Sequence, residues 1–295
     1  MSSFLAARTR AVLMQIAALL TCHNRRDTTV ACLEALSMHC LPEDTGLTIY
    51  VVDDGCTDGT AAAVTQRFPR VRLIAGDGDL YWGGGMRLAW SVAAAEASYD
   101  AYLWLNDDTT LVPTAIPTLV ASWQRAASIG RPGIIVGSTC DPDNARLTYG
   151  GYSGRVTLVE PSWQMQLCDT MNGNIVLVPR AVFQVVGNLC SEFRHNGADI
   201  DYGLRAQKAG FKIWVAPGFL GFCRQNPPSS WTDPSVPFCS RWRSLQGPKG
   251  LPLRERYTFC RRHHRLGWPV DLLKLYLRVS LPGPWHWLKR VTGKI

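Results

Sequence analysis

Short, unbroken apolar runs alternate with stretches of helical spacing along the first 110 or so residues, and this alternation most constrains what the chain can fold into. Residues 11–21 are almost continuously apolar and stop at His23-Asn24-Arg25-Arg26-Asp27. Val30, Leu33 and Leu36 then give residues 29–38 a helical period, and residues 47–52 form a β-branched run ending in Asp53-Asp54-Gly55. The alternation continues with a helix over 60–68, a strand over 71–75, a helix over 83–97 and a strand over 101–105. Further on, 113–127 reads as a helix, 134–138 and 175–179 as strands, and a short helix starts at Arg180. A strand that is apolar at every position is covered on both faces. The expected fold class is therefore α/β, a Rossmann-like α/β/α sandwich around a mostly parallel central sheet.

The charge is unevenly distributed. Residues 1–223 carry 17 basic and 20 acidic side chains, whereas residues 224–295 carry 14 basic and 3 acidic ones. The net charge of +8 is thus a property of the tail, which suggests docking on an anionic surface. No nucleic-acid module accompanies it, so nucleic acid is not an expected partner. The ten cysteines include no C-x-x-C pair and no zinc-finger spacing, as expected of reduced thiols in a cytoplasmic protein. Arg8 and Arg10 precede the apolar run as in a signal peptide, yet the run is about half the length of a membrane span, and a buried first strand is the better reading.

In an open α/β sheet, ligands bind beyond the carboxyl ends of the strands. Those ends here are His23-Asn24-Arg25, Asp53-Asp54 and Asn106-Asp107-Asp108, a polar set suited to a phosphorylated ligand and a metal ion. The first strand lacks the glycines of a dinucleotide site, and no Walker pattern occurs, which argues against hydride transfer and P-loop phosphotransfer. Asp54 to Gly59 departs from a calcium loop at Cys56 and Thr65, and Gly76-Asp77-Gly78-Asp79 is a single copy that reads as a turn. Oxygen ligands at Asp107 and Asp108 favour Mg²⁺ or Mn²⁺.

Four segments in order resemble the inverting, nucleotide-sugar-dependent glycosyltransferases of family 2, which have the GT-A fold. They are Thr21-Cys22-His23-Asn24-Arg25, Val51 to Thr60, Trp104-Leu105-Asn106-Asp107-Asp108, and Gly197 to Ala206 with Ala209-Gly210-Phe211. The resemblance covers residues 15–226 and implies a nucleoside-diphosphate sugar donor of UDP or dTDP type. It implies that Thr21 and Asn24 lie against the nucleotide with Arg25 near it, and that Asp54 bonds the base or ribose. Asp53 is expected to brace its loop and Asp58 to cap the helix near Thr60. Trp82, Gly83, Gly84 and Arg87 match the loop before the donor-site helix, where glycine N–H groups could approach phosphate or sugar; Arg87 either neutralises diphosphate or covers the helix. Asp108, helped by Asp107 or Asn106, corresponds to the metal ligand, and Asp199 to the catalytic base. Asp201 is expected to orient Arg205 or its loop. Two positions depart from the family pattern: Ala198 replaces a frequent Glu, and Cys223 a frequent metal-binding His, where a buried structural thiol is the favoured reading.

The expected organisation is a catalytic domain over 1–226, its nucleotide half about 11–110 and its acceptor half about 111–226, followed by a basic, aromatic-rich extension over 227–295 that forms a lid plus an interfacial helix. Residues 266–280 put Asp271, Lys274 and Arg278 on one face of a helix and a wide apolar surface on the rest. Arg261 to Arg265 precede it, and Trp285, Trp287, Lys289 and Arg290 follow, as in an interfacial helix. The alternative is a helix packed on the catalytic domain or in a homodimer. The resulting expectation is a metal-assisted hexosyltransferase, peripheral to the inner face of the cell membrane, acting on a polysaccharide or lipid-linked glycan. Its rival, motivated by Ala198 and Cys223, is a catalytically silent sugar-nucleotide-binding or scaffold protein of a glycan-assembly complex.

Overall fold

Strand β1 (Met14–Cys22) shows why its sequence is one unbroken apolar run. Ala17 and Leu19 enter one core, while Ile16, Ala18, Leu20 and Cys22 enter the core on the opposite face of the sheet. The computed structural model describes residues 14–39, 41–42, 44–154, 157–264 and 267–291. Residues 11–13 of the expected first strand, Arg265, and the side chains of Lys289 and Arg290 lie outside what is described.

After β1 come α1 (Arg26–Ser37), β2 (Thr45–Asp53), α2 (Thr60–Arg67), β3 (Arg72–Ala75), α3 (Tyr81–Glu96) and β4 (Ala101–Leu105). Next are β5 (Thr110–Leu111), α4 (Ala115–Ser128), β6 (Gly133–Cys140), β7 (Leu147–Tyr149), β8 (Gly151–Ser153), β9 (Thr157–Leu158), β10 (Gln166–Cys168) and β11 (Thr170–Met171). β12 (Ile175–Pro179), α5 (Arg180–Val186), α6 (Ala198–Lys208) and β13 (Lys212–Phe222) complete the sheet region. The extension folds as α7 (Phe238–Gln246), α8 (Leu253–His263), α9 (Trp268–Ser280) and α10 (Pro282–Val291).

The main sheet runs β10-β13-β6-β12-β4-β1-β2-β3. β3, β2, β1 and β4 are mutually parallel, as are β6 and β13, and β12 is inserted antiparallel between the two groups. Helices α1, α2 and α4 cover one face through Leu33, Leu36, Val64, Ile116 and Leu119. Helices α3, α5 and α6 cover the other through Met86, Trp90, Val182 and Tyr202. This is the α/β/α sandwich that the apolar runs imply, with helices at the C-terminal end.

The extension does not stand apart from the sandwich. Phe259 of α8 belongs to the same core as Trp90 and Tyr202. Asp201 on α6, with no exposed side-chain surface, pairs with Arg205 at 2.8 Å, Arg262 at 2.7 Å and His263 at 2.8 Å. The expected link from Asp201 to Arg205 is present, and two partners from α8 join it.

α9 departs from its expected polar face. Asp271 pairs with His264, and the Arg278 guanidinium lies 4.7 Å from the centroid of the Trp231 ring. Leu275 and Val279 pack with Trp231 and Leu245, while Val270, Leu273, Leu277 and Leu281 form an exposed stripe. The helix therefore packs on one side and presents apolar surface on the other. No helix among the described residues is long and apolar enough to cross a membrane.

Candidate active site

A cavity of about 840 Å³ opens at the carboxyl ends of β1, β2 and β4. Its walls include Thr21, Arg25, Asp54, Trp82, Asp107, Asp108 and Asp199, so seven of the expected site residues converge there. Asn24, Gly83, Gly84 and Arg87 are not among its lining residues.

The reasons are local. Asn24 has a positive φ of 51°, a conformation that Asn tolerates better than most residues. Its side-chain carbonyl accepts the Thr57 N–H at 2.7 Å, tying the loop after β1 to the loop after β2. Gly83, Gly84 and Gly85 are not a loop but lie inside the first turns of α3. The Gly83 N–H donates to the Arg194 carbonyl at 2.8 Å and the Gly84 N–H to the Leu80 carbonyl at 3.1 Å, so neither is free for phosphate. A Cβ at Gly83 would overlap the Phe193 carbonyl, and one at Gly85 would overlap the Thr21 hydroxyl. These glycines let α3 approach β1 and the turn before α6 closely, which outweighs their helix-propensity cost of about 1 kcal/mol each. Arg87 sits farther along α3, where its carbonyl accepts from the Asn188 side chain at 3.0 Å.

Asp54 reaches the cavity wall, but its carboxylate is already held by the chain. It accepts the N–H groups of Gly78, Leu80 and Tyr81 at 2.9, 3.2 and 2.9 Å. It therefore fixes the approach to α3 as well as lining the cavity. Asp53 accepts the Cys56 N–H at 2.9 Å, and Asp58 joins the starts of α1 and α2 by accepting from Arg26 and Thr60 at 2.9 and 3.0 Å. Both match their expected bracing and capping roles.

At the end of β4, Arg25 donates to Asp108 at 2.7 Å and to Asp107 at 3.2 Å. Thr29 donates to the other oxygen of Asp107 at 3.2 Å. Burial pushes the Asp107 carboxyl up to about 6, with Arg25 opposing the shift. The Cys223 thiol, pushed up to about 12 by burial, remains protonated at neutral pH and lies 3.6 Å from Asp108 Oδ1. A hard cation that keeps several waters needs only one or two protein carboxylates alongside substrate phosphates, and Asp107 and Asp108 fit that requirement. Arg25 is a built-in competitor for the same oxygens.

Asp199 sits at the start of α6, partly buried in the same cavity. It accepts the Gly173 N–H at 3.0 Å and the Ile200 N–H at 2.8 Å, while desolvation pushes its carboxyl up to about 6. Gly173 is glycine for a reason visible here, since a Cβ would enter the Trp82 ring. That ring is held by its indole N–H, which donates to Asn106 Oδ1 at 2.7 Å. Trp82, Gly173 and Asp199 are therefore linked in series between β4 and α6.

Other lining residues had no signal in the sequence. Lys249, Glu255, Arg256 and Phe259 enter the cavity from the extension, and His195 from the turn before α6. Burial, reinforced by Lys249 and Arg25, pushes the His195 ring down to about 4, so it is neutral at pH 7.

Parallel strands feeding a polar cleft lined by Asp107, Asp108 and Asp199 have the GT-A architecture. The description "Glycosyl transferase family 2" matches residues 18–163, and the chain carries a domain of that family. Over 261 residues it is 23% identical to the N-acetylglucosaminyl-diphospho-decaprenol L-rhamnosyltransferase of Mycobacterium tuberculosis, strain CDC 1551 / Oshkosh, covering 80% of this chain and 81% of the relative. The same figures hold for that enzyme in strain ATCC 25618 / H37Rv. Among solved structures, the mannosyltransferase PcManGT from Pyrobaculum calidifontis, in complex with GDP-Man and Mn²⁺, superposes with a TM-score of 0.55 at 13% identity, covering 96% of this chain and 86% of that one. S. aureus TarS gives 0.53 at 12% identity over 84% of this chain, which spans 42% of the TarS chain.

Proposed function

We propose that this glycosyltransferase moves a hexosyl or deoxyhexosyl residue from a nucleoside-diphosphate sugar, of UDP or dTDP type, to a hydroxyl of a lipid-linked glycan, with inversion. The observation that carries the reading is Asp199, a desolvated carboxylate sharing one cavity with Arg25, Asp107 and Asp108. The mycobacterial relative, whose name specifies a diphospho-decaprenol acceptor, supports the acceptor class and a place in cell-envelope polysaccharide assembly.

In the single displacement we infer, the acceptor hydroxyl loses its proton to Asp199 as its oxygen bonds the anomeric carbon. The bond from that carbon to the nucleoside diphosphate breaks on the opposite face. Desolvation raises the proton affinity of Asp199, and the Gly173 and Ile200 N–H groups fix the orientation of its carboxylate. Arg25 supplies positive charge on the leaving-group side. Asp108, with Asp107, would hold Mg²⁺ or Mn²⁺, whose chemistry there is to neutralise the diphosphate. The exposed stripe of α9 and the basic tail support attachment at a membrane face.

The test is turnover of a panel of nucleoside-diphosphate sugars with Mg²⁺ or Mn²⁺. Loss of turnover in Asp199→Asn supports the reading, and no turnover by the wild type across the panel favours a silent sugar-nucleotide-binding protein.

A further inference from the structure

The wall that the extension contributes to the cavity carries two cations, the exposed Lys249 and the half-buried Arg256. Lys249, in the loop between α7 and α8, and Arg256, in the first turns of α8, both line the cavity, and neither has an ion-pair partner among the described residues. The Nε of Arg256 is buried without a hydrogen-bond partner, and its guanidinium lies 5.5 Å from the centroid of the Phe259 ring. Beside them, Nδ1 of His195 is likewise buried and unpartnered. Glu255 is the nearby acid from the same helix, but burial pushes its carboxyl above the usual range, and its Oε2 has no partner.

The loop bearing Lys249 is held in place. The Asn196 side chain donates to the carbonyls of Lys249 and Gly250 at 2.7 and 2.8 Å, three residues before Asp199. A Cβ at Gly250 would overlap the backbone of Ser244 and Leu245, so the loop is closed tightly on α7. The backbone that carries Lys249 is thus tied to the turn before Asp199, whereas Arg25 is paired with Asp107 and Asp108.

The buried, unpaired donors of Arg256 and His195 are costly, and a neutral glycan gives no reason to gather two cations beside them. A diphosphate does. An ammonium meets it as a point charge, a guanidinium can bond two of its oxygens at once, and a neutral imidazole adds one N–H. We propose that Lys249 and Arg256, together with His195, form a subsite for the diphosphate of the lipid-linked acceptor. The extension then reads the linker of the acceptor while the β-strand ends read the donor. The inference rests on the acceptor class argued under the proposed function.

The test is calorimetric binding of farnesyl diphosphate, farnesyl monophosphate, UDP and dTDP to the full-length wild type, Lys249→Ala and Arg256→Ala. The expected result is that the wild type binds farnesyl diphosphate more tightly than the monophosphate. Each variant should then lose tenfold or more in affinity for it while its affinity for UDP or dTDP stays within twofold. Lys249→Arg and Arg256→Lys should recover most of the loss, and thermal melts should show all variants folded. Unchanged farnesyl diphosphate affinity in both alanine variants overturns the subsite. A parallel loss for the nucleotides also overturns it, assigning the cations to the donor instead. Donor binding without any farnesyl diphosphate binding by the wild type refutes the subsite yet leaves the glycosyltransferase reading standing, whereas failure of the donor panel refutes that reading separately.

Discussion

Arg25 and Asp108, eighty-three residues apart in the chain, meet in a 2.7 Å ion pair at the mouth of the cavity, where the guanidinium also reaches Asp107 at 3.2 Å. A divalent cation and a guanidinium therefore compete for the same carboxylate oxygens. Replacing Arg25 by Gln removes the competitor and leaves both acids exposed to the ion. Mn²⁺ binding, followed by electron paramagnetic resonance, should tighten several-fold in Arg25→Gln. Donor turnover should fall about 10- to 100-fold because the leaving diphosphate loses a fixed positive charge. Unchanged Mn²⁺ affinity would show that the ion does not use these oxygens.

The two desolvated carboxyls set the expected pH dependence. Asp199 and Asp107 are both pushed up to about 6. A base must be deprotonated, so the rate falls as pH drops through 6, well above the ordinary carboxylate range, and levels off above it. Protonation of Asp107 in the same window weakens its pairing with Arg25, so the acid limb of kcat/KM should be steeper than a single titration. A limb centred near 4 would exclude a desolvated base.

The glycine run at the start of α3 offers a contrast between neighbours. Gly84→Ala places a Cβ 3.2 Å from Leu80 Cβ, a contact that small shifts relieve, whereas Gly83→Ala drives one into the Phe193 carbonyl. Gly83→Ala should cost about 1–3 kcal/mol as overpacking, and Gly84→Ala close to nothing or a slight gain from helix propensity. Thermal melts of the two variants check the ordering.

That glycine run also marks where the sequence was legible and where it was not. β1 and β4 could be read because burial on both faces writes itself as unbroken apolarity, and their polar ends include Arg25, Asp107 and Asp108, which line one cavity. Gly83 to Gly85 begin the helix that the periodicity places over 83–97 yet match a loop in the family pattern, and the need for glycine comes from Thr21 and Phe193, which only the fold brings near. Asp54 could be placed at the site but not given its partners, since three backbone N–H groups leave no trace in side-chain identity. Lys249 and Arg256 belong to no motif and reach the cavity because Asn196 ties down the Lys249 loop while Asp201 and Arg262 dock α8 onto α6.

That docking is itself testable. Asp201 is fully buried and balances Arg205 and Arg262, with His263 as a further partner. Asp201→Ala leaves the partly exposed Arg205 and Arg262 without their shared carboxylate, an effect of about 1–3 kcal/mol. The extension should loosen from α6, and limited proteolysis should cut between residues 224 and 230 at rates at least tenfold above wild type. Arg262→Lys keeps a charge but loses the planar fork, so it should fall between the two.

The outer stripe of α9 distinguishes a membrane-facing helix from one that is merely packed. Leu273 and Leu277 are 57% and 41% exposed, while Leu275 and Val279 hold the helix against Trp231. Changing the exposed pair leaves the inner face intact, so Leu273→Glu with Leu277→Glu should barely move the thermal melt. Two apolar side chains lost from an interfacial face, together with two added negative charges, should reduce partitioning onto anionic phospholipid vesicles by tenfold or more. Sedimentation with vesicles of mixed phosphatidylglycerol and phosphatidylethanolamine measures this directly. Donor hydrolysis without acceptor serves as the control, because the stripe lies outside the residues lining the cavity. Equal sedimentation of wild type and double variant would assign the stripe to another partner, such as a second copy of the chain, and a concentration-dependent mass that the same substitutions abolish would identify that partner.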